Sequence, residues 1–295
     1  MIDYWYYTGD TTYNKQTTEA LLFQAGDHAD YMPTNQTLTE GNDDQGFWAM
    51  SVMSAAEYKF PDPPTGEPGW LALAQAVFNT QAPRWDTEHC NGGLRWQIFA
   101  WNSGYNYKNS ITQATFFTLA ARLALYTDNS TYADWAVKTW DWMVSVNFID
   151  EKYNVYDGAH VEDNCKTIVP YQFSYNPVCI GPTSLRCVKQ ILTRPDQGAF
   201  LLGAAAMYAY SDSLGQTDNA NMWRERIDGL LDGLRVFFHR DTPDGPAIMF
   251  EVACEPVNLC DVDQQSFKAY LSRWMAATTK WAPWTYDVIK PLLAN

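Results

Sequence analysis

One turn recurs in this chain between helical segments, and it constrains the fold more than any other feature. Tyr7-Thr8-Gly9-Asp10-Thr11-Thr12-Tyr13 and Tyr126-Thr127-Asp128-Asn129-Ser130-Thr131-Tyr132 share the pattern Tyr-Thr-x-x-x-Thr-Tyr. Each copy lies between two helical patterns and supplies a polar reversal and a side chain able to cap the second helix. Tyr210-Ser211-Asp212, ahead of Met222-Trp223, is a looser third copy. A turn repeated between helix pairs is what stacked helical hairpins produce, because neighbours complete the core that one hairpin cannot bury alone. The periodicity agrees. Phe116, Leu119, Ala120 and Leu123 fall at i, i+3, i+4 and i+7, and Tyr132, Trp135, Ala136, Thr139, Trp140 and Met143 continue the pattern in the next helix. Similar faces run through 70–78, 200–210, 223–238 and 267–281, while strand signals are scarce. The sequence therefore predicts one all-α domain of hairpins, closed or nearly closed into a toroid.

The 295 residues carry 34 acidic and 20 basic side chains, a formal net charge of −14, which argues against nucleic acid as a partner. Thirteen tryptophans and eighteen tyrosines either pack a core or offer flat faces to sugar rings. No apolar stretch is long enough to span a membrane, and neither a signal peptide nor a lipid-anchor signal is expected within the chain. The six cysteines lack zinc-like spacing and the four histidines are scattered, so no metal site is expected. An even cysteine count suits a disulfide-bearing extracellular protein, and Cys254 and Cys260 could close a small loop. Asn35-Gln36-Thr37 and Asn129-Ser130-Thr131 are glycosylation acceptors at Asn35 and Asn129.

The chemistry-bearing motif is Gly41-Asn42-Asp43-Asp44-Gln45-Gly46-Phe47-Trp48, which places adjacent aspartates at the start of a predicted helix spanning 47–58. A capping residue beside a solvated acid is one reading. The other is a reacting pair. Neighbouring carboxylates repel, so one holds its proton to higher pH than the other, and one ionised with one protonated carboxyl is what glycoside cleavage requires. Consecutive Cα atoms are about 3.8 Å apart, which favours the short separation of a retaining mechanism over the wider gap that admits a water. Polar and aromatic loops could converge on the pair in a toroid: 92–97 with 102–109, 155–165, and 172–176.

Taken together, these segments resemble family 76 glycoside hydrolases of the fungal mannan endo-1,6-α-mannosidase type. The resemblance rests on Ile2-Asp3-Tyr4-Trp5-Tyr6-Tyr7-Thr8-Gly9-Asp10, Gly41-Asn42-Asp43-Asp44-Gln45, Gly93-Leu94-Arg95-Trp96-Gln97, Tyr156-Asp157-Gly158-Ala159-His160 and Phe250-Glu251-Val252-Ala253-Cys254-Glu255-Pro256. It implies an (α/α)6 barrel and retaining cleavage of α-1,6-mannosidic bonds without a cofactor. The substrate it implies is α-1,6-mannan or a mannose-containing anchor glycan, handled by a monomer at the cell wall or outer plasma-membrane face. It further implies Asp43 as nucleophile, Asp44 as acid/base and Asp157 as a sugar contact near the cleaved bond. Trp48, Trp96, Asn109 and Tyr175 are its cavity-lining candidates. Transglycosylation of glycolipid-anchored proteins onto wall glucan, or a catalytically inactive sugar-binding fragment, are the competing expectations.

The chain departs from the family pattern at both ends, where the ring is expected to be incomplete with about four complete hairpins. It departs again at 178–197, a basic stretch with no helical face. Val178-Cys179 can be encoded by a 5′ splice sequence, Leu192-Thr193 by a branch point and Gln197 by a 3′ splice end. Removing 178–197 restores the family pattern, so a retained intron translated in frame is the expectation for it. Cys179 and Cys187 then drop out as partners, leaving Cys90–Cys165 and Cys254–Cys260 as the expected bridges.

Overall fold

Gly9 and Asp128 hold the same place in the recurring turn and take the same left-handed backbone, with φ of 72° and 56°. The computed structural model describes residues 1–35, 38–170, 198–239 and 245–294. Helix α1 (Ile2–Thr8) turns at Gly9 into α2 (Asn14–Phe23). The two copies of the turn are built alike. The Thr8 hydroxyl donates to the Tyr4 carbonyl at 2.6 Å and Thr127 to that of Leu123 at 2.7 Å. Asp10 accepts from the Thr12 N–H at 2.9 Å and Asn129 from that of Thr131 at 3.0 Å. The Asn129 bond caps α6, a contact worth about 1 kcal/mol, whereas the Asp10 bond lies in the turn ahead of α2, whose N-cap Tyr13 makes no side-chain capping bond. The looser third copy differs, because its left-handed residue is Gly215, five positions beyond Tyr210.

Next come α3 (Asn42–Glu57), α4 (Trp70–Gln81), the short strand β1 (Tyr107–Asn109), α5 (Ser110–Thr127) and α6 (Ser130–Ser145). Strands β2 (Gly158–His160) and β3 (Ile168–Val169) pair antiparallel with β1 in the order β1-β2-β3. Helices α7 (Gly198–Ser213) and α8 (Thr217–Leu234) follow, then the two-stranded β4 (Phe238–His239) and β5 (Ile248–Met249), α9 (Val262–Trp281) and α10 (Tyr286–Leu293). Helices α3, α5, α7 and α9 pack one on the next, and α4, α6, α8 and α10 back them from outside. The ion pair of Asp3 with Arg273 (3.3 Å) joins α1 to α9. The architecture is an α/α toroid of helical hairpins, with five helix pairs among the described residues.

The periodicity reading underestimates the inner helices. From Ser110 to Ala124 every residue of α5 is buried, because this helix touches inner neighbours on both sides, α6 behind it and the ring axis in front. A helix surrounded in this way is apolar or small on all faces rather than striped. The expected stripe belongs to the outer helix α6, where Tyr132, Ala136, Thr139, Trp140 and Met143 are buried and Lys138 is exposed. The predicted face at 223–238 ends early, as α8 stops at Leu234 and Phe238 opens β4.

Most of the aromatic excess packs the core. Phe117, Trp140, Phe200 and Trp223 join α5, α6, α7 and α8 with ring centroids 5.5–6.1 Å apart. Burying each such ring stabilises the fold by about 2–3 kcal/mol. Close backbone approach needs Gly46, since a Cβ there would stand 2.7 Å from the Thr115 Cβ on α5. Further along the same seam, the buried Arg122 guanidinium binds both Glu57 carboxylate oxygens at 2.9 and 2.7 Å, the Met50 carbonyl and the Ser54 hydroxyl, locking α5 to α3. No helix among the described residues is long and apolar enough to cross a membrane.

Candidate active site

The first turn of α3 is stitched to the 92–109 loop by backbone. Gly41 bridges Gln97, and the Asn42 N–H donates to the Trp96 carbonyl at 2.9 Å. The Asn42 side chain donates to the Arg95 carbonyl, while Arg84 donates to the side-chain oxygens of Asn42 and Gln45, both at 2.8 Å. Gln81 caps this framework by donating to the Asn42 carbonyl at 2.6 Å. Residue 41 must be glycine, because a Cβ there would collide with the Asp43 carboxylate. Asp44 accepts from the Gly41 N–H at 2.8 Å, the reciprocal half of a capping box, and its own N–H donates to Asp43 Oδ1 at 3.1 Å.

The helix start thus caps with one aspartate and buries the other, and the two are not equivalent. Asp43 is buried at 5 % exposure, whereas Asp44 is exposed. Burial pushes the Asp43 carboxyl well above the usual carboxylate range, and the Asp44 charge adds to the push. Hydrogen bonds from the Asp44 and Asp43 backbone and from the Trp96 side chain work the other way, favouring the anion. Asp44 is also raised, by the partial desolvation of its recess, and lowered by the Gly41 N–H. The sequence argument gives the larger rise to Asp44; the structure gives it to Asp43, because burial outweighs mutual repulsion. Two further acids lie in the field of Asp44. Glu40 is pushed up to about 7 by burial, then by Asp44 and Asp30, against the pull of Arg84. Asp263, in the first turn of α9, is raised by burial, then by Asp261 and Asp44.

Asp157 and Asn109 meet on one ladder. Asn109 on β1 pairs with Gly158 on β2, and the Ser110 N–H donates to the Asp157 carbonyl at 2.7 Å. The buried Asp157 carboxylate accepts from the Tyr107 hydroxyl, and the Tyr107 carbonyl accepts from the Trp96 N–H at 2.8 Å. Hydrogen bonds thus run from Asn42 through Trp96 and Tyr107 to Asp157. The Asn109 side chain is fully buried, and neither its amide nitrogen nor its oxygen has a partner among the described residues.

Lys108, between these residues in sequence, turns the opposite way. Its ammonium is wholly buried, donates to the carbonyls of Asp86 (3.1 Å), His89 (2.7 Å) and Gly92 (2.6 Å), and pairs with the Asp86 carboxylate at 3.3 Å. Burial lowers its pKa to about 8, although Asp86 opposes the shift. Burial raises Asp86 in turn, but Lys108 and Arg95 outweigh it and hold the carboxyl low. The Cys90–Cys165 bridge, with Cα atoms 5.5 Å apart, ties this loop to the β2–β3 connection. Cys254–Cys260, at 4.8 Å, closes the loop leading to α9.

Of the residues singled out in the sequence, the structure brings together Asp43, Asp44, Trp96, Asn109 and Asp157. Trp48 departs from expectation. It stacks flat on the buried Tyr31 (5.4 Å, 2° between planes) and borders a groove against Glu19 and Phe23 of α2. The axial wall carries its neighbour Phe47 instead, beside a cavity of about 300 Å³ that also meets Arg122, Tyr270, Trp274 and Lys280. Tyr175, Cys179, Cys187 and the stretch 178–197 lie outside the described residues. Asn35 and Asn129 are both exposed. Sequence reasoning missed Glu40, Tyr107 and Asp263. An acid one residue before Gly41 was a readable signal for Glu40, whereas nothing local marks Tyr107 or Asp263. Among the described residues no His, Cys, Asp and Glu cluster could hold a metal ion.

The sequence matches Glycosyl hydrolase family 76 over residues 1–180 and 187–295, leaving out 181–186 within the stretch read as an insertion. It is 46% identical over 292 residues to mannan endo-1,6-alpha-mannosidase DCW1 of Candida glabrata, covering 98% of this chain and 58% of that protein. Mannan endo-1,6-alpha-mannosidase DFG5 of Saccharomyces cerevisiae is 41% identical over 99% of this chain and 58% of its own. The chain thus spans under two thirds of the length of these relatives. Among solved structures it resembles Dfg5 from Chaetomium thermophilum in complex with glucosamine, with 49% identity, a TM-score of 0.85, and coverage of 99% of this chain and 64% of that one. An inactive variant of the alpha-1,6-mannanase GH76A of Salegentibacter sp., in complex with alpha-1,6-mannotriose, shares the fold at 15% identity and a TM-score of 0.64, over 95% of this chain and 67% of that one.

Proposed function

The chain belongs to glycosyl hydrolase family 76, and from that premise we propose that it carries the catalytic site of a retaining glycosidase acting on α-1,6-linked mannan of the fungal cell wall. The observation that carries this reading is the asymmetry of the aspartate pair. Asp43 is buried and receives several N–H donors, as suits a carboxylate that must be fixed in place to attack. Asp44 is held by one backbone donor and is open to solvent, as suits a group that exchanges protons with an incoming water.

In the first step the Asp43 carboxylate bonds to the anomeric carbon while the bond to the leaving sugar oxygen breaks and Asp44 gives that oxygen its proton. Positive charge developing at the anomeric carbon stabilises the Asp43 anion against the burial that opposes its ionisation. Water then attacks the anomeric carbon, Asp44 takes its proton and the Asp43 ester bond breaks. An acceptor hydroxyl in place of water gives transfer instead, and product analysis with and without an acceptor glycan separates the two. Asn109 and Asp157, buried on the ladder that Tyr107 joins to Trp96, are the proposed sugar contacts. Two disulfides and exposed Asn35 and Asn129 sequons support an extracellular site of action.

Replacing Asp43 by Asn should abolish the covalent glycosyl-enzyme formed with an activated mannoside. Asp44→Ala should spare glycosylation by an aryl mannoside whose leaving group needs no proton, slow deglycosylation, and respond to azide. An adduct trapped on another residue, or an inverted product anomer, overturns the assignment.

A further inference from the structure

We propose that Trp101, backed by Phe99, is an aromatic platform that takes one face of a mannose ring of the bound chain, away from the aspartate pair. This rests on the mannan reading above and assigns a contact outside its reacting centre. The two rings are stacked at 4.8 Å with 14° between their planes, and the Trp101 ring is 66% exposed. A lone exposed apolar residue would mean little. Here folding stacks one aromatic under another and leaves the outer face open, which is the arrangement that binds a flat apolar sugar face.

The loop beneath is held at several points. Gln97 bridges Gly41, and the Asn102 amide donates to Gln97 Oε1 at 3.1 Å and to the Leu38 carbonyl at 2.9 Å. Gly104, at φ 96°, lies so close to Trp96 that a Cβ would run into the indole. Trp96, whose side chain hydrogen-bonds Asp43, and Trp101 therefore ride on one pinned segment. Five residues of extended chain reach at most about 18 Å, and this segment is folded into turns, so the two tryptophans stand within the reach of a short oligosaccharide. Trp48, the aromatic nearest to the pair in sequence, has its ring stacked on Tyr31.

The test is calorimetric titration of α-1,6-mannotriose and α-1,6-mannohexaose into an Asp43→Asn protein that cannot turn them over, with and without Trp101→Ala or Trp101→Phe. Loss of the platform should weaken hexaose binding roughly tenfold, the weight of one good aromatic contact, and Trp101→Phe should recover most of it. Thermal unfolding of Trp101→Ala should match its parent, because the ring is largely exposed. If the Asp43→Asn protein binds both oligosaccharides and Trp101→Ala binds the hexaose equally well, the platform is wrong and the mannan reading stands. If the parent binds neither, both fall.

Discussion

Replacing Glu40 by Gln should change how stability depends on pH, by an amount the structure sets. Glu40 is 8% exposed and its carboxyl is raised from 4.5 to about 7, by burial first and then by Asp44 and Asp30. The folded state therefore holds this proton to higher pH than the unfolded chain does. Its stabilising effect is complete below about pH 4.5, drains away as pH rises towards 7, and is gone above that. A shift of about 2.5 units corresponds to about 3 kcal/mol, an upper limit because Arg84 and residual solvent screen the charge. Glutamine has the same shape and does not ionise. Urea unfolding of both proteins at pH 5, 6, 7 and 8 gives the measurement, because their difference cancels the other acids. The variant should gain on its parent by up to about 3 kcal/mol between pH 5 and 8. Parallel curves, or a gain in the opposite direction, would refute the argument that burial governs this carboxyl.

Glu57→Leu should cost about 3–5 kcal/mol in urea unfolding by leaving the buried Arg122 unpaired, and adding Arg122→Met should recover most of that. Gly46→Ala should lower stability by about 1–3 kcal/mol, because α3 and α5 must part to admit the methyl group, and a change within error would mean the contact is looser than described. Replacing Cys90 and Cys165 by Ala opens a link between positions 75 apart, for which chain entropy predicts a loss of about 4 kcal/mol. Activity should fall further than stability, since the bridge ties the Trp96 loop to the Asp157 side of the site.

The hairpins were legible because their signals are local. The Tyr-Thr-x-x-x-Thr-Tyr turns carry their own left-handed residue and a side chain that accepts from the N–H two positions on, and Phe116 to Leu123 show their face within two turns. The position of Asp43 and Asp44 at a helix start was legible for the same reason. What the sequence could not rank was the burial of the two aspartates, because that depends on the 92–109 loop folding over Asn42. Tyr107 and Asp157 are 50 positions apart, so no periodicity announces their contact. The resemblance names Trp48 as a cavity-lining candidate, and its ring stacks on Tyr31. At one residue per 100° of helix, Phe47 faces the axis and Trp48 turns aside.

Lys108 has a consequence for watching this molecule move. The burial that lowers this amine to about 8 also seals it among three carbonyls, so it cannot meet an acylating reagent while the loop is shut. Its modification rate under native conditions therefore counts openings of the loop that carries Trp96, separately from unfolding of the ring. The surface lysines, Lys15 among them, react at once and supply the internal clock. A lysine placed to hold a loop closed thus doubles as a chemical stopwatch for how often that loop lets go.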